Sequence, residues 1–282
     1  MKFNVQADMT YTANTAGTLI LNIHALHNNA GQAVLQEHLN IQPYIPAEQL
    51  LNVNGENHLI RLNVEEPGNI AISYHATVFN AWKMVDMDGL VETPVHALPA
   101  EVLPYLHPSR YCQSDKLFRL AHNMFGEISN PFVTVLNMVE WIHANVQYLS
   151  GSTNSETSAF DTVTEQSGVC RDFAHLGIAL CRALTIPARY FTGYAYKLQP
   201  ADFHACFEAY LGGQWVLFDA TKLVPLNGLV KIATGRDAAD AAIANIFGEI
   251  DFNTMLVNCT FADEVFIPFQ YAPNSLQGIS YF

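Results

Sequence analysis

The 282-residue sequence has no run of 18 consecutive apolar residues, and its opening Met1-Lys2-Phe3-Asn4-Val5-Gln6-Ala7-Asp8 has no apolar stretch of the kind a leader carries. Neither a membrane-spanning helix nor a secretory signal is expected from this pattern. Cysteine is sparse: five residues, at 112, 170, 181, 206 and 259, an odd number with no Cys-x-x-Cys pair. Such spacing signals neither a disulfide framework nor a zinc knuckle, and it points to a reducing, cytoplasmic compartment. Basic residues are few, 13 Lys and Arg against 26 Asp and Glu, for a formal charge of −13. A surface of that sign repels phosphate backbones and anionic lipid, because binding either requires cations to replace their counterions. No nucleic-acid partner and no membrane partner are expected. No Asp-x-Asn-x-Asp-Gly loop occurs, and no cofactor or metal ion is called for. The oligomeric state is left open.

What is present is apolar. Half of the residues are hydrophobic and 11% are aromatic, which excludes a disordered chain and suffices for a large packed core. The first hundred residues read as β structure. Leu19, Leu21 and Ile23 alternate with Thr18, Asn22 and His24, a period broken by Ile20, and Ile70, Ile72, Tyr74, Ala76 and Val78 share one face at period two. The Pro67-Gly68-Asn69 turn between Leu59–Val64 and Ile70–Phe79 predicts a hairpin, and Gly31 and Asn54-Gly55 add turn points. Short antiparallel strands of this kind form a sandwich. Pro94, Pro99, Pro104 and Pro108 interrupt any ladder or helix, so a domain boundary is placed there, giving 1–104 and 105–282.

Beyond the prolines the period changes. One helix is predicted from Ser114 through Asn123 or beyond, and a second from Asn130-Pro131 to about Tyr148. The polar run Leu149–Ser155 reads as a loop, and the stretch between residues 150 and 166 is taken as loop as well. A third helix is predicted from a Ser167 cap to about Leu184, followed by strands at Ala188–Tyr194, Phe203–Tyr210 and Gln214–Asp219. Met255–Thr260 and Val265–Phe269 also suit strands.

Three residues in this region combine into a chemistry. With Ser167 as cap, Cys170 sits in the first turn of its helix, where unpaired N–H groups and the positive helix end favour thiolate. His204 and Asp219 fall on one face of the hairpin in either register that a Leu211-Gly212-Gly213 turn permits. The carboxylate can then hold one imidazole nitrogen while the other faces the sulfur. Taken singly, each residue is more simply read as a buried thiol or a satisfied polar group on a strand. His175, five positions after Cys170 and turned about 140° away, reads as a packed helix histidine. Asp172 reads as a first-turn carboxylate and Arg236-Asp237 as a loop brace.

The segment Gly168-Val169-Cys170-Arg171-Asp172-Phe173-Ala174-His175-Leu176 resembles the nucleophile helix of the transglutaminase-like superfamily, a relative of the papain-like fold. Tyr105–Cys112, Trp141–Tyr148 and Ile186–Tyr194 resemble its flanking elements. His204-Ala205 and Phe218-Asp219-Ala220-Thr221 resemble its histidine and aspartate motifs. Ile232–Asp240 is similar to the bacterial branch, and the β region to the accessory domain ahead of that core. The resemblance implies an α+β protein: an N-terminal antiparallel β-sandwich followed by a transglutaminase-like core, with its nucleophile helix packed on an antiparallel sheet. It implies Cys170 as nucleophile, His204 as general base and acid, and Asp219 as the residue orienting His204. A thiol-dependent acyl transfer on peptide, amide or isopeptide bonds of a peptide or protein substrate follows, with hydrolysis favoured over transamidation; a non-catalytic binding scaffold is the alternative. One oxyanion donor is the Cys170 N–H, and Gln166 is the candidate for the second. Two departures stand out. Cys206 replaces the tryptophan usual after His-Ala, and Ala220 replaces the proline usual after the aspartate.

Overall fold

The computed structural model describes residues 1–27, 31–53 and 55–281. Seven strands come first: β1 (Lys2–Ala13), β2 (Gly17–Leu21), β3 (Gln32–Gln42), β4 (Ala47–Val53), β5 (Asn57–Val64), β6 (Gly68–Asn80) and β7 (Lys83–Asp86). After the proline-rich segment, itself only short turns of 3-10 helix, come helices α1 (Ser114–Phe125) and α2 (Pro131–Asn145). There follow β8 (Gln147–Tyr148), α3 (Ala159–Glu165), β9 (Ser167–Gly168) and α4 (Cys170–Ala183). The chain ends in β10 (Ala188–Ala195), β11 (Phe203–Leu211), β12 (Gln214–Phe218), β13 (Leu229–Gly235), β14 (Ala244–Phe247), β15 (Ile250–Phe261) and β16 (Gln277–Ser280). The fold is α+β, as expected.

The N-terminal strands form two four-stranded sheets, ordered β15-β1-β6-β3 and β14-β2-β5-β4. Their alternating apolar faces, Phe3 to Ala13 on β1, Ile70 to Val78 on β6 and Ile60, Leu62 and Val64 on β5, belong to one buried cluster. The hairpin expected across Pro67-Gly68 does not form. β5 pairs with β2 and β4, whereas β6 pairs with β1 and β3. Both strands carry an apolar face, so an arch that passes the chain from one sheet to the other buries both. The turn point at Asn54-Gly55 falls partly on residue 54, outside the described residues.

The two ends of the chain are not separate. β14 adds to β2, pairing Ala244 with Leu21, and β15 runs the length of β1, from Phe3 opposite Phe261 to Ala13 opposite Ile250. The sheets of residues 1–104 are thus completed by residues 244–261. Val265–Phe269, expected as a strand, forms none.

The third four-stranded sheet, β12-β11-β10-β13, carries the site. Every residue of β10, β11 and β13 is buried. One face takes α4. On the other, Phe191, Cys206 and Leu217 pack with Ile279 and Tyr281 near the chain's end. The outer strand β13 is closed by amide side chains from the N-terminal layer. Gln32 both donates to the Lys231 carbonyl (2.7 Å) and accepts from its N–H (2.8 Å), and Asn57 does the same at Thr234 (2.7 and 2.9 Å). An edge satisfied in this way offers no template for strand addition.

Helix ends follow local chemistry. Asn130 caps α2, its side chain accepting from the Val133 N–H at 3.1 Å with Pro131 at the first position. That helix stops at Asn145, short of the predicted Tyr148. The predicted 149–166 loop contains α3, which the sequence reading passed over because its run is short and mostly polar. At its start Asp161 turns back and accepts from both the Ser158 N–H (2.9 Å) and the Ser158 hydroxyl (2.6 Å).

Expressed alone, residues 1–104 leave β1 and β2 with unpaired edges. This fragment is expected to aggregate and to lack a cooperative melt, as read by size exclusion and circular dichroism. A monomeric, cooperatively melting fragment would contradict the pairing described.

Candidate active site

Helix α4 begins at Cys170, with Val169 rather than Ser167 as its cap. Cys170 is therefore the first helical residue, not the third, and its N–H has no intrahelical acceptor. The start is shaped by Asp172, which is fully buried and turns back to accept from the Val169 N–H at 2.9 Å. Gly168 leaves room for that turn: a Cβ there would lie 2.7 Å from the Asp172 Cβ. The other carboxylate oxygen of Asp172 accepts from Thr153 (3.1 Å) and Arg171 (3.3 Å), while Arg171 also donates to the Asn154 carbonyl (2.6 Å). The loop after β8 is thereby tied to the helix start, and the role expected of Asp172 is the one observed. Of the five cysteines, Cys170 alone is partly exposed; the others are buried, and all five are free.

His204 and Asp219 meet. His204 Nε2 donates to Asp219 Oδ2 at 2.8 Å, and both side chains are buried. The hairpin turns at Gly212-Gly213, both with positive φ (59° and 80°), which fits a tight turn that only glycines enter freely. Leu211 then opposes Gln214 and Phe207 opposes Phe218, so Asp219 is the diagonal neighbour of His204. This is the second of the two registers the sequence allowed. The remaining Asp219 oxygen accepts from the Thr221 N–H (2.9 Å) and hydroxyl (2.7 Å). Both carboxylate oxygens are thus committed, and Oδ2 is aimed at the imidazole.

His204 Nδ1 is buried and meets no nitrogen or oxygen partner. Cys170 is among the groups that bear on the charge of this imidazole. Burial pushes the imidazole pKa down, but the charge and hydrogen bond of Asp219, reinforced by Cys170, outweigh it and raise the value to about 10.

The helix and strand are held at one level by close packing. A Cβ at Gly177 would lie 2.4 Å from the ring of Phe207, which is itself fully buried. From that contact, seven residues of helix back to Cys170 and three residues of strand back to His204 each cover about 10 Å.

Other expectations resolve individually. His175 is fully buried, stacked on Tyr111 with centroids 5.1 Å apart, and accepts from the Ala238 N–H at 3.1 Å. Burial, with Arg171 and Arg182 nearby, holds it neutral. Asp237 braces its loop by accepting from the Tyr111 and Ala239 N–H groups (both 2.9 Å), whereas Arg236 pairs with Asp240. Gln166 is exposed, at a left-handed φ of 53°, and its carbonyl is taken by the Gln147 N–H. Cys206 shares its apolar cluster with Phe191 and Tyr281, and burial together with Asp219 and Glu208 holds its thiol protonated.

Sequence reasoning missed three features. Thr221 was seen only as part of a motif, although Asp-x-Thr is itself a turn signature. Glu208 is fully buried between Arg189 (2.5 Å) and Lys231 (2.9 Å), and Arg189 also reaches Glu56 at 3.3 Å. Arg189 and Glu208 are cross-strand partners, so the ion pair pins the β10–β11 register. The third is Tyr148, which the β8–β9 pairing sets beside Gly168, two residues before Cys170, with its ring on Phe173.

Comparison with known proteins matches residues 1–101 to the bacterial transglutaminase N-terminal domain and residues 119–220 to the transglutaminase-like superfamily. A crystal structure of a candidate cysteine protease from Cytophaga hutchinsonii is 55% identical, with a TM-score of 0.97, over 100% of this chain and 98% of that one. The chain belongs to the bacterial transglutaminase-like cysteine-protease superfamily. As a member, it is a thiol-dependent enzyme of the hydrolase or transglutaminase-like kind. An uncharacterised protein of Mycobacterium leprae is 28% identical over 146 residues, 49% of this chain and 52% of that protein. The chain thus spans about half the length of that relative.

The cytoplasmic expectation is corrected. Solved structures with likeness to this superfamily member include the periplasmic domain of TgpA from Pseudomonas aeruginosa, 18% identical with a TM-score of 0.41, over 79% of this chain and 90% of that one. The cysteine argument behind the expectation also lapses, because four of the five thiols are buried. Buried thiols are inert whichever compartment surrounds them.

Two outcomes are expected. Below pH 6.5 both folded and unfolded His204 are protonated, so the stabilisation from Asp219 is whole; it is lost as pH rises toward about 10. The melting-temperature gap between wild type and Asp219→Asn should therefore be widest near pH 6 and shrink through alkaline pH. Gly177→Ala should overpack the helix–sheet contact, costing about 1–3 kcal/mol in denaturant melts. It should also slow turnover at least tenfold by displacing Cys170 from His204.

Proposed function

We propose that Cys170, His204 and Asp219 form a catalytic triad that cleaves amide bonds in peptides or proteins through a thioester. The observation that supports this most directly is the buried His204–Asp219 pair, whose free Nδ1 is influenced by the one partly exposed thiol. In the first half-reaction the Cys170 sulfur attacks the carbonyl carbon, the tetrahedral oxyanion collapses, and His204 delivers its proton to the departing amine. In the second, His204 takes a proton from water as it attacks the thioester, and acid and thiol are released. Asp219 stays ionised, holding the ring and stabilising the imidazolium. An amine entering in place of water would yield a transamidated product.

Incubation with a peptide library plus a small primary amine, read by mass spectrometry, tests the reading. Free acids are expected to exceed amine adducts, and Cys170→Ala should abolish both, by about 10³-fold or more. Iodoacetamide at pH 7 should modify Cys170 at least tenfold faster in wild type than in His204→Ala. Products that persist undiminished in Cys170→Ala would refute the triad.

A further inference from the structure

A cavity of about 610 Å³ opens where the proline-rich segment and Glu56 of the N-terminal layer meet Arg189 of β10 and Trp215 of β12. That volume is in the range of small-molecule sites, about 300–1,000 Å³. The cavity is separate from the candidate active site, since Arg189 pairs across the sheet with Glu208, four residues along β11 from His204, or about 13 Å. Its wall is apolar: Val102, Pro104 and the rings of Tyr105 and Trp215, which meet edge to face with centroids 5.2 Å apart. Its polar groups are those that structural pairing leaves over. Arg189, nine-tenths buried, lies over the Trp215 ring at 4.3 Å, gives Nε to Glu208 and holds Nη1 3.3 Å from Glu56. Its Nη2 has no hydrogen-bond partner among the described residues, and neither has the Tyr105 hydroxyl. Burial raises the phenol pKa, so that hydroxyl stays a donor at neutral pH. Glu56 Oε1 accepts from the Thr234 hydroxyl at 2.9 Å and faces Arg189, which leaves Oε2 over. Arg236 and Asp240 neutralise one another (2.8 and 3.0 Å), whereas exposed Glu101 has no ion-pair partner among the described residues.

We propose that this cavity is a second ligand site, for a free α-amino acid with a large apolar side chain. The carboxylate takes Arg189 Nη2 and the Tyr105 hydroxyl, the ammonium takes Glu56 Oε2, and the side chain covers the apolar wall. Arg189 and Glu56 adjoin at 3.3 Å, so the leftover donor and the leftover acceptor stand side by side. An α-amino acid carries its two charges at that same close spacing. A ligand with one charge fits less well. An anion alone meets Glu56 and Glu101 with nothing to offer them, and a cation alone stands against Arg189 and leaves its nitrogen unmet. Charge taken out of water needs a partner of opposite sign, and the cavity supplies one of each. The lining joins the N-terminal layer to β10 and β12, so a bound ligand ties the two layers together and stabilises the fold by mass action. None of this depends on the triad.

L-phenylalanine is the probe, with phenethylamine and 3-phenylpropionate as its single-charge counterparts. None of the three has an amide bond, so turnover plays no part. Calorimetric titration of the full chain is expected to show one site for L-phenylalanine, with a melting temperature that rises with ligand. Each counterpart should bind at least about tenfold more weakly. Glu56→Gln should weaken L-phenylalanine by about tenfold or more while 3-phenylpropionate binds as tightly as before or tighter. Tyr105→Phe should weaken both by about tenfold. This second variant removes a hydroxyl with no internal partner, so it decides the matter if Glu56→Gln does not fold. No binding at about 10 mM L-phenylalanine would overturn the proposal and leave the cavity to water. Equal binding of the three probes would overturn it by showing that only the ring is recognised. Undiminished binding in folded Tyr105→Phe would place the ligand elsewhere and overturn it too.

Discussion

The arrangement depends on a side chain that is missing. Gly177 lets the Phe207 ring lie against the backbone of α4, and this approach sets how far the helix stands from β11. The ring cannot retreat, because it is fully buried and stacked on Phe218 at 5.7 Å. Close-packed interiors transmit such a contact rather than absorb it. A methyl group at 177 would lift the whole start of the helix, and with it the sulfur, from the imidazole. The geometry of the candidate site is in this sense a packing property before it is a chemical one.

Carboxylates then perform the positional work, each with its oxygens divided between tasks. Asp172 spends one oxygen on the helix start and the other on the loop after β8. Asp219 spends one on Thr221 and the other on His204. Glu208 bridges Arg189 and Lys231 beneath the sheet; burial raises its pKa, but the two cations outweigh this and hold it ionised. A buried ion cluster is weak evidence for stability, since its desolvation offsets much of its attraction. Here it joins three adjacent strands and so defends the register on which His204 depends.

The elements that carry the candidate site were legible in the sequence because they are strongly patterned. Cys170 precedes a long apolar helix stripe, and the Gly-Gly turn restricts the His204–Asp219 hairpin to two registers that share a face. Legibility failed where the deciding partner was distant. The Pro67-Gly68 turn looks local, yet its strands separate because each has a better partner elsewhere, β2 for one and β1 for the other. Ser167 is a good cap by residue type, but the backbone N–H that needed capping was met by Asp172 from inside the helix. Tyr148 carried no signal, since a tyrosine at a helix's end is ordinary until β8 and β9 bring it beside Gly168, at the start of the nucleophile-bearing segment. The cysteine count misled for a related reason: it reports how many thiols exist, not how many are accessible.

The return of β15 to β1 also bears on how the molecule is made. A ribosome releases Lys2–Ala13 long before Ile250–Phe261, so the first sheet waits with an open edge while the intervening residues emerge. Pairings of such wide sequence separation form slowly and leave strands exposed in the interim. Nascent chains halted anywhere in the middle would present that edge to the cell, so translation speed and chaperone capture become determinants of yield for this protein.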